Sequence, residues 1–319
     1  MPSIDIHLVS YNSANTLQAC LEAALSQQII FPITVRVIDN GSTDESVAIA
    51  RTCGVEVHLA GKNLGYAAAH NRLIDLSRGD YLLTLNPDVL LMPDFVSHMV
   101  DALASRPNVG MAAGCLLRVE HLGELPTRLD GVGLYLRRNR RQGLIGEHSL
   151  VSERPNKSMP IFGADGAAAF YRREMLEQAR LQGEVFDSDF WMHKEDVDLA
   201  WRAQLLGWDA LYVPTAIAHH VRGFRPGQRE RVSPHMRRIA ARNRYLLLLK
   251  NDFPPHLLRD IFPLLVYEAG IFAYMLLKER QSLRAYADAW SLRGKMWAKR
   301  HELASKRVRS WRTLKQWFL

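Results

Sequence analysis

The chain has 319 residues, 48% of them hydrophobic and 23% charged, which excludes a disordered polypeptide and allows one large core or a core with a smaller appendage. Lys and Arg number 41 against 33 Asp and Glu, a net charge of +8, and the basic excess gathers after Gly294, where it suits an anionic surface. Cys20, Cys53 and Cys115 have no metal-type spacing, so a disulfide scaffold is excluded, a reducing compartment is the default, and an N-terminus that enters a strand at once predicts no secretory leader.

Ile4 to Val9 reads as a strand, and Leu17, Cys20, Leu21, Ala24 and Leu25 then recur at the spacing of an amphipathic helix. Ile33 to Ile38 is a second strand. Ser42-Thr43-Asp44-Glu45 has the form of a capping box that starts a helix, with Gly54 placed to end it before a third strand from Val55 to Leu59. A further helix is predicted from Tyr66 to Ser77, followed by the strand Tyr81 to Leu85. This alternation implies an α/β fold with a largely parallel sheet and right-handed crossovers.

Ligands of open α/β sheets bind at the C-terminal strand tips. Neither a Gly-x-Gly-x-x-Gly after the first strand nor a Walker sequence is present, which removes the dehydrogenase and P-loop readings. The tips carry instead Ser10-Tyr11-Asn12, then Asp39-Asn40-Gly41-Ser42-Thr43-Asp44, then Asn86-Pro87-Asp88. Asp39 either accepts a hydrogen bond from a pyrimidine ring N–H or forms an Asx-turn into the next helix. Asn86-Pro87-Asp88 is either an ordinary turn or an acid placed for a metal-bound phosphate.

Further along, Lys194-Glu195-Asp196-Val197-Asp198 opens a helix whose apolar face holds Val197, Ala200, Trp201 and Leu205. Asp198 is placed for an i,i+4 pair with Arg202. The small residues of Gly163 to Ala169 form either a tight turn into a packed strand or a surface for close approach of a sugar, with Asp165 able to reach a sugar hydroxyl. Ala210 to Val213 reads as a strand with His219 and His220 beyond it. Arg222, Arg225, Arg229 and Arg231 mark a solvated loop or a lid over a diphosphate. Ile261 to Leu277 is apolar but contains Pro263 and Glu268 and falls short of the ~20 residues of a spanning helix. It reads as helix lying in a bilayer interface, as a subdomain packed on the first domain, or as a homodimer surface.

Val37 to Asp44, Lys62-Asn63-Leu64-Gly65-Tyr66-Ala67-Ala68-Ala69-His70-Asn71, Asn86-Pro87-Asp88 and Glu195-Asp196-Val197-Asp198 occur in the order and approximate spacing of the family-2 inverting glycosyltransferases of the GT-A fold. The chain resembles that family over residues 4–251, and its rhamnosyltransferase-type bacterial members most. The resemblance implies a Rossmann-like GT-A domain over residues 1–251 with a basic, amphipathic helical C-terminal region over 252–319. It implies inverting transfer of a sugar, best L-rhamnose from dTDP-L-rhamnose, to a lipid-linked saccharide in cell-surface polysaccharide synthesis, at the cytoplasmic face of the inner membrane. A UDP-sugar donor is the alternative. By resemblance Asp39 meets the base; Ser10, Tyr11, Asn12, Asn63, Gly65, Tyr66 and Asn71 line the nucleoside pocket; Asn86 and Gly166 lie by the donor. Asp88 then holds Mg2+ or Mn2+, with His220 as a further ligand, and Asp196 is the general base with Glu195 beside it.

The chemistry agrees with those roles. Departure of a nucleoside diphosphate builds negative charge that a divalent cation stabilises, and single-displacement transfer needs one base opposite the leaving group. The family's usual Asp-x-Asp is here Asn86-Pro87-Asp88, which lowers the expected affinity for free metal. A helix N-terminus lowers a carboxylate pKa, so the strength of Asp196 as a base is expected from position and desolvation. A sugar nucleotidyltransferase would carry a Gly-rich loop after the first strand, and an inactive nucleotide-sugar-binding module would lack Asp88 or Asp196. Nucleic-acid binding is not expected, since no aromatic-basic motif accompanies the basic tail.

Overall fold

A computed structural model describes residues 1–222 and 232–319. The first half alternates as its hydrophobic pattern dictates: β1 (Ile4–Ser10), α1 (Ala14–Leu25), β2 (Ile33–Asp39), α2 (Ser46–Thr52), β3 (Glu56–Leu59), α3 (Gly65–Leu76) and β4 (Tyr81–Leu85). These strands pair in parallel in the order β3-β2-β1-β4, which sets Ser10 beside Asp39 at the tips. Leu17, Cys20, Leu21 and Ala24 are buried on α1, whereas Leu25, at the edge of the same stripe, is exposed.

The capping box does not form. Helix α2 begins at Ser46, because Ser42 Oγ accepts from the Asn12 N–H (2.9 Å) and the Thr43 N–H donates to Asn12 Oδ1 (2.8 Å). Asp44 does the capping in both directions, accepting from the Ser46 N–H and from Ala14 N–H at the start of α1, each at 3.0 Å. The first two strand tips are thereby tied into one loop cluster.

The second half runs β5 (Val89–Leu91), α4 (Phe95–Ala104), β6 (Val109–Val119), β7 (Arg128–Gly131), β8 (Leu134–Leu136), β9 (Gln142–Leu144), β10 (Met159–Ile161), β11 (Ala168–Arg172), α5 (Arg173–Gln178), α6 (Glu195–Leu205) and β12 (Asp209–Val221). Strand β11 lies antiparallel between β4 and β6, and β12 is parallel to β6. The sheet is therefore parallel through β1 to β4 and mixed beyond, a departure from the largely parallel expectation. Alternation along β11 sends Ala168 and Phe170 into one core and Ala169 and Tyr171 into the other, so helices cover this central strand on both faces. Strand β12 does not stop at Val213. A register shift between Tyr212 and Ile217 absorbs Pro214, as bulges do, and the strand continues through both histidines.

Helices α7 (Pro234–Asn251), α8 (Pro254–Arg259), α9 (Ile261–Lys278), α10 (Arg284–Lys306) and α11 (Trp311–Leu314) complete the chain. They pack on the α/β layer through buried ion pairs. Lys250 Nζ reaches Asp187 (2.5 Å) and Asp198 (2.7 Å), while Arg140 reaches Asp252 and Asp260, both at 2.7 Å. Asp198 also pairs with Arg202 at 2.9 Å, as the i,i+4 spacing predicts. Among the described residues α9 alone is long and apolar enough to cross a membrane. Its Glu268, however, accepts from Arg244 Nε and Tyr245 Oη, each at 2.8 Å, which holds one face against α7. Its other face is open, with Phe262 75% and Leu277 74% exposed.

Candidate active site

A cavity of about 660 Å³ opens at the C-terminal ends of the strands. Tyr11, Asn63, Tyr66, Asn86, Asp88, Gly166, Glu195, Asp196 and His220 line it, so most of the residues named from sequence meet at one site. Tyr66 is fixed there by its hydroxyl, which donates to the Gly166 carbonyl at 2.8 Å. Ser10, Asn12, Asp39, Gly65 and Asn71 do not line it. Asn12 braces the loop cluster described above. Asn71 is committed elsewhere, its amide donating to the Phe186 carbonyl (2.7 Å) and accepting from the Phe186 N–H (2.9 Å), so it clamps backbone and does not face a nucleoside.

Asp39 forms the Asx-turn and keeps one oxygen spare. Its Oδ2 accepts from the Gly41 and Ser42 N–H groups at 3.0 and 2.9 Å, the Asx-turn, while Oδ1 is buried with no hydrogen-bond partner. An unpaired buried carboxylate oxygen is costly, and a ring N–H is a donor of the kind it lacks. Gly65 is required for the adjoining loop: at φ +77°, a Cβ there would sit 2.4 Å from the Trp191 carbonyl oxygen.

Asp88 and His220 come together because β12 pairs antiparallel with β5, which puts His220 opposite Val89. Alternation turns His220 toward Asp88 and His219 to the other face. The His220 Nε2 lies 3.3 Å from Asp88 Oδ1, and its Nδ1 lies 2.9 Å from Asp130. Asp130, on β7, is buried and also pairs with Arg222 at 2.9 Å. Burial opposes charge on His220, but its hydrogen bonds to Asp130 and Asp88 outweigh that and raise its pKa to about 9. Burial likewise opposes charge on Asp130, and His220 and Arg222 outweigh it, holding the carboxyl at about 2.

This arrangement fits a divalent cation. The buried Asp88 Oδ1 has no polar contact shorter than the 3.3 Å to His220 Nε2, and a carboxylate behind an imidazole is the usual way to orient a metal-ligating histidine. No cluster of three or more His, Cys, Asp or Glu with ligand geometry occurs among the described residues. Asp88 and His220 are an oxygen and a nitrogen of the kinds that suit Mn2+ or Mg2+.

Asp196, which lines the same cavity, sits in the first turn of α6. Its Oδ2 accepts from the Gly166 N–H at 3.1 Å and its Oδ1 from the Val197 N–H at 2.7 Å. Both bonds lower its pKa, yet burial first and the charge of Asp165 second raise it to about 6. The helix-terminus argument that placed it low is outweighed, and the carboxylate is a stronger base than its position along the helix implies. Glu195 is more deeply buried, with Oε2 unpartnered, and burial together with the Asp196 charge pushes its carboxyl well above the ordinary range.

The model of Glycosyl transferase family 2 matches residues 5–180. The chain belongs to that family. The enzyme is 31% identical over 238 residues to the N-acetylglucosaminyl-diphospho-decaprenol L-rhamnosyltransferase of Mycobacterium tuberculosis, covering 66% of this chain and 74% of the relative. Among solved structures, GalNAc-T7 with UDP, GalNAc and Mn2+ superimposes at a TM-score of 0.62 and 12% identity, over 78% of this chain and 48% of that one. The mannosyltransferase PcManGT from Pyrobaculum calidifontis with GDP-Man and Mn2+ gives 0.54 at 18% identity, over 99% and 84%. At such identities these structures establish the GT-A fold and not the substrate.

Sequence reasoning about this glycosyltransferase did not find Asp130, which stands 42 residues from Asp88 in a segment without a motif and becomes visible only through the β6–β7 pairing. It also passed over Lys194 and Gln142, which line the cavity. Lys194 has a left-handed backbone at φ 72°, a conformation unmarked by Gly or Asn. Of the arginines assigned to a lid, Arg222 lines the cavity, while Arg225, Arg229 and Arg231 lie outside the described residues.

Proposed function

We propose that this family 2 glycosyltransferase is an inverting, metal-assisted enzyme that moves a sugar, L-rhamnose from dTDP-L-rhamnose in the first instance, onto a lipid-linked saccharide at the cytoplasmic face of a membrane. The observation that carries the reading is that Asp88, His220 and Asp196 line one cavity. The preference for rhamnose and for a lipid-linked acceptor rests on the similarity to the mycobacterial relative.

In this reading Asp39 Oδ1 accepts the ring N–H shared by thymine and uracil, and Tyr11 and Asn63 flank the nucleoside. Asp88 and His220 hold the divalent cation, which supplies Lewis-acid stabilisation of the departing diphosphate. Asp130 keeps His220 in register. Asp196 takes the proton of the acceptor hydroxyl as that oxygen attacks the anomeric carbon on the face opposite the leaving diphosphate, which inverts the centre. The two backbone N–H bonds fix the carboxylate for that transfer. The open apolar face of α9 and the basic C-terminal residues face the membrane that carries the acceptor.

The test is a panel of dTDP- and UDP-sugars assayed for nucleoside diphosphate release onto a polyprenyl-diphosphate-linked N-acetylglucosamine, with Mg2+, Mn2+ or EDTA. Release that depends on the acceptor and on metal, fastest with dTDP-L-rhamnose, is the expected result. Turnover that is undiminished in EDTA would remove Asp88 and His220 from the mechanism, and a faster UDP-sugar would replace the donor.

A further inference from the structure

A second cavity, about 1080 Å³, lies between α7 and α9 and meets the active-site cavity at Gln142 and Lys194, which line both. Its walls are apolar along α9, where Phe262, Val266, Tyr267 and Ile271 face Ala240 and Ala241 of α7. Its lining at the junction is cationic. Lys194, which lines both cavities, and Arg141, next to Gln142, stand there, Arg237 lines the groove where α7 meets Glu279, and Arg244 is already committed to Glu268 and to the Asn139 carbonyl (2.6 Å). The Arg141 guanidinium is exposed, and neither it nor the Lys194 ammonium has a hydrogen bond or ion pair from its side chain among the described residues. Arg237 gives one nitrogen to Glu279 at 3.1 Å and keeps a buried Nε without a partner.

We infer that this groove is the subsite for the prenyl diphosphate part of the acceptor, with Lys194 and Arg141 on the diphosphate and the α7–α9 walls around the first isoprene units. The inference rests on the lipid-linked acceptor proposed above. Two features choose this occupant over a protein segment or a bare membrane. The first is continuity: Lys194 is two residues before Asp196, so a phosphate held at the junction leaves the attached sugar in the cavity that contains the base. The second is the order of chemistries, anion-binding at the junction and apolar beyond it, which matches the order of diphosphate and prenyl chain in such a molecule. The open face of α9 lets the rest of the chain continue into lipid.

Gly270 gives the test, because it lines the groove and a Cβ built there meets nothing within 4 Å. Gly270→Leu fills the groove and, in a helix interior, raises helix propensity, so the variant folds. Farnesyl diphosphate is titrated calorimetrically into the full chain in EDTA and detergent, which keeps it from the metal site. Wild type binds it, while Gly270→Leu and Arg141→Glu each weaken binding by about tenfold or more, the loss of two or three buried methylenes or one charge contact. Leu265→Ser, on α9 but outside the groove lining, binds as wild type does. In the transfer assay, Gly270→Leu raises KM for a prenyl-linked acceptor more than for a methyl-diphosphate-linked one.

Equal binding by wild type and Gly270→Leu, no binding by either, inorganic diphosphate competing as well as farnesyl diphosphate, or a Leu265→Ser loss as large as that of Gly270→Leu would each overturn the inference. The two proposals separate cleanly. Gly270-dependent farnesyl diphosphate binding by a protein that transfers no sugar keeps the groove and sinks the reaction, whereas lipid-linked transfer with an acceptor KM indifferent to Gly270 sinks the groove alone.

Discussion

Replacing Asp196 by Asn separates the base from the fold, and the structure sets the size of both effects. The folded protein keeps the Asp196 proton up to about pH 6, whereas the carboxyl's ordinary value is 3.8. Because the folded state binds more protons in that window, stability falls as pH rises from about 4 to about 6, and the whole cost is present above it. A gap of roughly two pH units corresponds to about 3 kcal/mol, nearer 2 for a carboxylate that still touches the cavity. Glu195, which the Asp196 charge also pushes up, adds in the same direction. The amide removes this penalty: like the protonated carboxyl it has one good acceptor oxygen for the Gly166 and Val197 N–H groups, and the carboxylate's second acceptance is already contained in the shifted pKa. At pH 8 the variant gains about 2–3 kcal/mol over wild type. At pH 4, where the folded wild type carries the proton, the two are nearly equal. The variant is therefore expected to melt close to wild type at pH 4 and several degrees above it at pH 8, with about 2 °C per kcal/mol for a chain of this size. Its turnover at pH 8 falls by about 10²–10⁴, the usual worth of a general base. Differential scanning fluorimetry across pH and nucleoside diphosphate release read the two sides. A melting difference that does not change between pH 4 and 8 refutes the burial argument, and turnover within about threefold of wild type refutes the base.

Three other outcomes follow from the same geometry. Asp130→Asn leaves the His220 ring without its carboxylate, and the Mn2+ concentration needed for half-maximal turnover is expected to rise about 10–100-fold while the rate at saturating Mn2+ recovers most of its value; a fall in the saturated rate with unchanged Mn2+ dependence would count against the positioning role. Asn86→Asp restores the second acid beside Asp88, and calorimetry without nucleotide should show about tenfold tighter Mn2+ binding; unchanged affinity would mean that Asn86 does not face the ion. Arg140→Leu strands the buried carboxylate of Asp252 and takes one of three arginines from Asp260, which keeps Arg138 and Arg259, and urea unfolding should show a loss of about 3–5 kcal/mol; a loss under about 1 kcal/mol would show that the C-terminal helices are held by apolar packing instead.

The parts legible in sequence are those whose signal is local. Strands β1 to β4 and helices α1 and α3 are specified by periodic apolar residues within their own spans, and Asp88 and Asp196 are marked by motifs of a few residues at strand and helix ends. What stays hidden depends on pairing between distant segments. Asp130 is meaningful only once β7 lies on β6 and presents it to a histidine 90 residues on. The antiparallel insertion of β11 leaves no trace in its own alternation, which is that of any strand buried on two faces. Ser42 and Thr43 look like a cap until Asn12, on another loop, competes for them. Asn71 sits inside the most recognisable motif of the chain and yet serves Phe186, because the same amide that could read a base can also bridge a backbone.

The single acid at Asn86-Pro87-Asp88 makes better sense once the charges around it are placed. Asp88, Asp165, Glu195 and Asp196 already crowd one cavity, and burial first, with repulsion among Asp165, Glu195 and Asp196 second, raises the carboxyls of Glu195 and Asp196. An acid at position 86 would raise them further and increase the cost of an empty site. Asp130 supplies negative charge from the other side, buried behind His220 and compensated by Arg222, where it holds the imidazole, which a cation would bind in exchange for its proton, without adding a carboxylate to the cavity. In the proposed reaction such a site would attract a cation only together with phosphate oxygens, so that metal and nucleotide would arrive together and no resident ion would neutralise Asp196 in their absence.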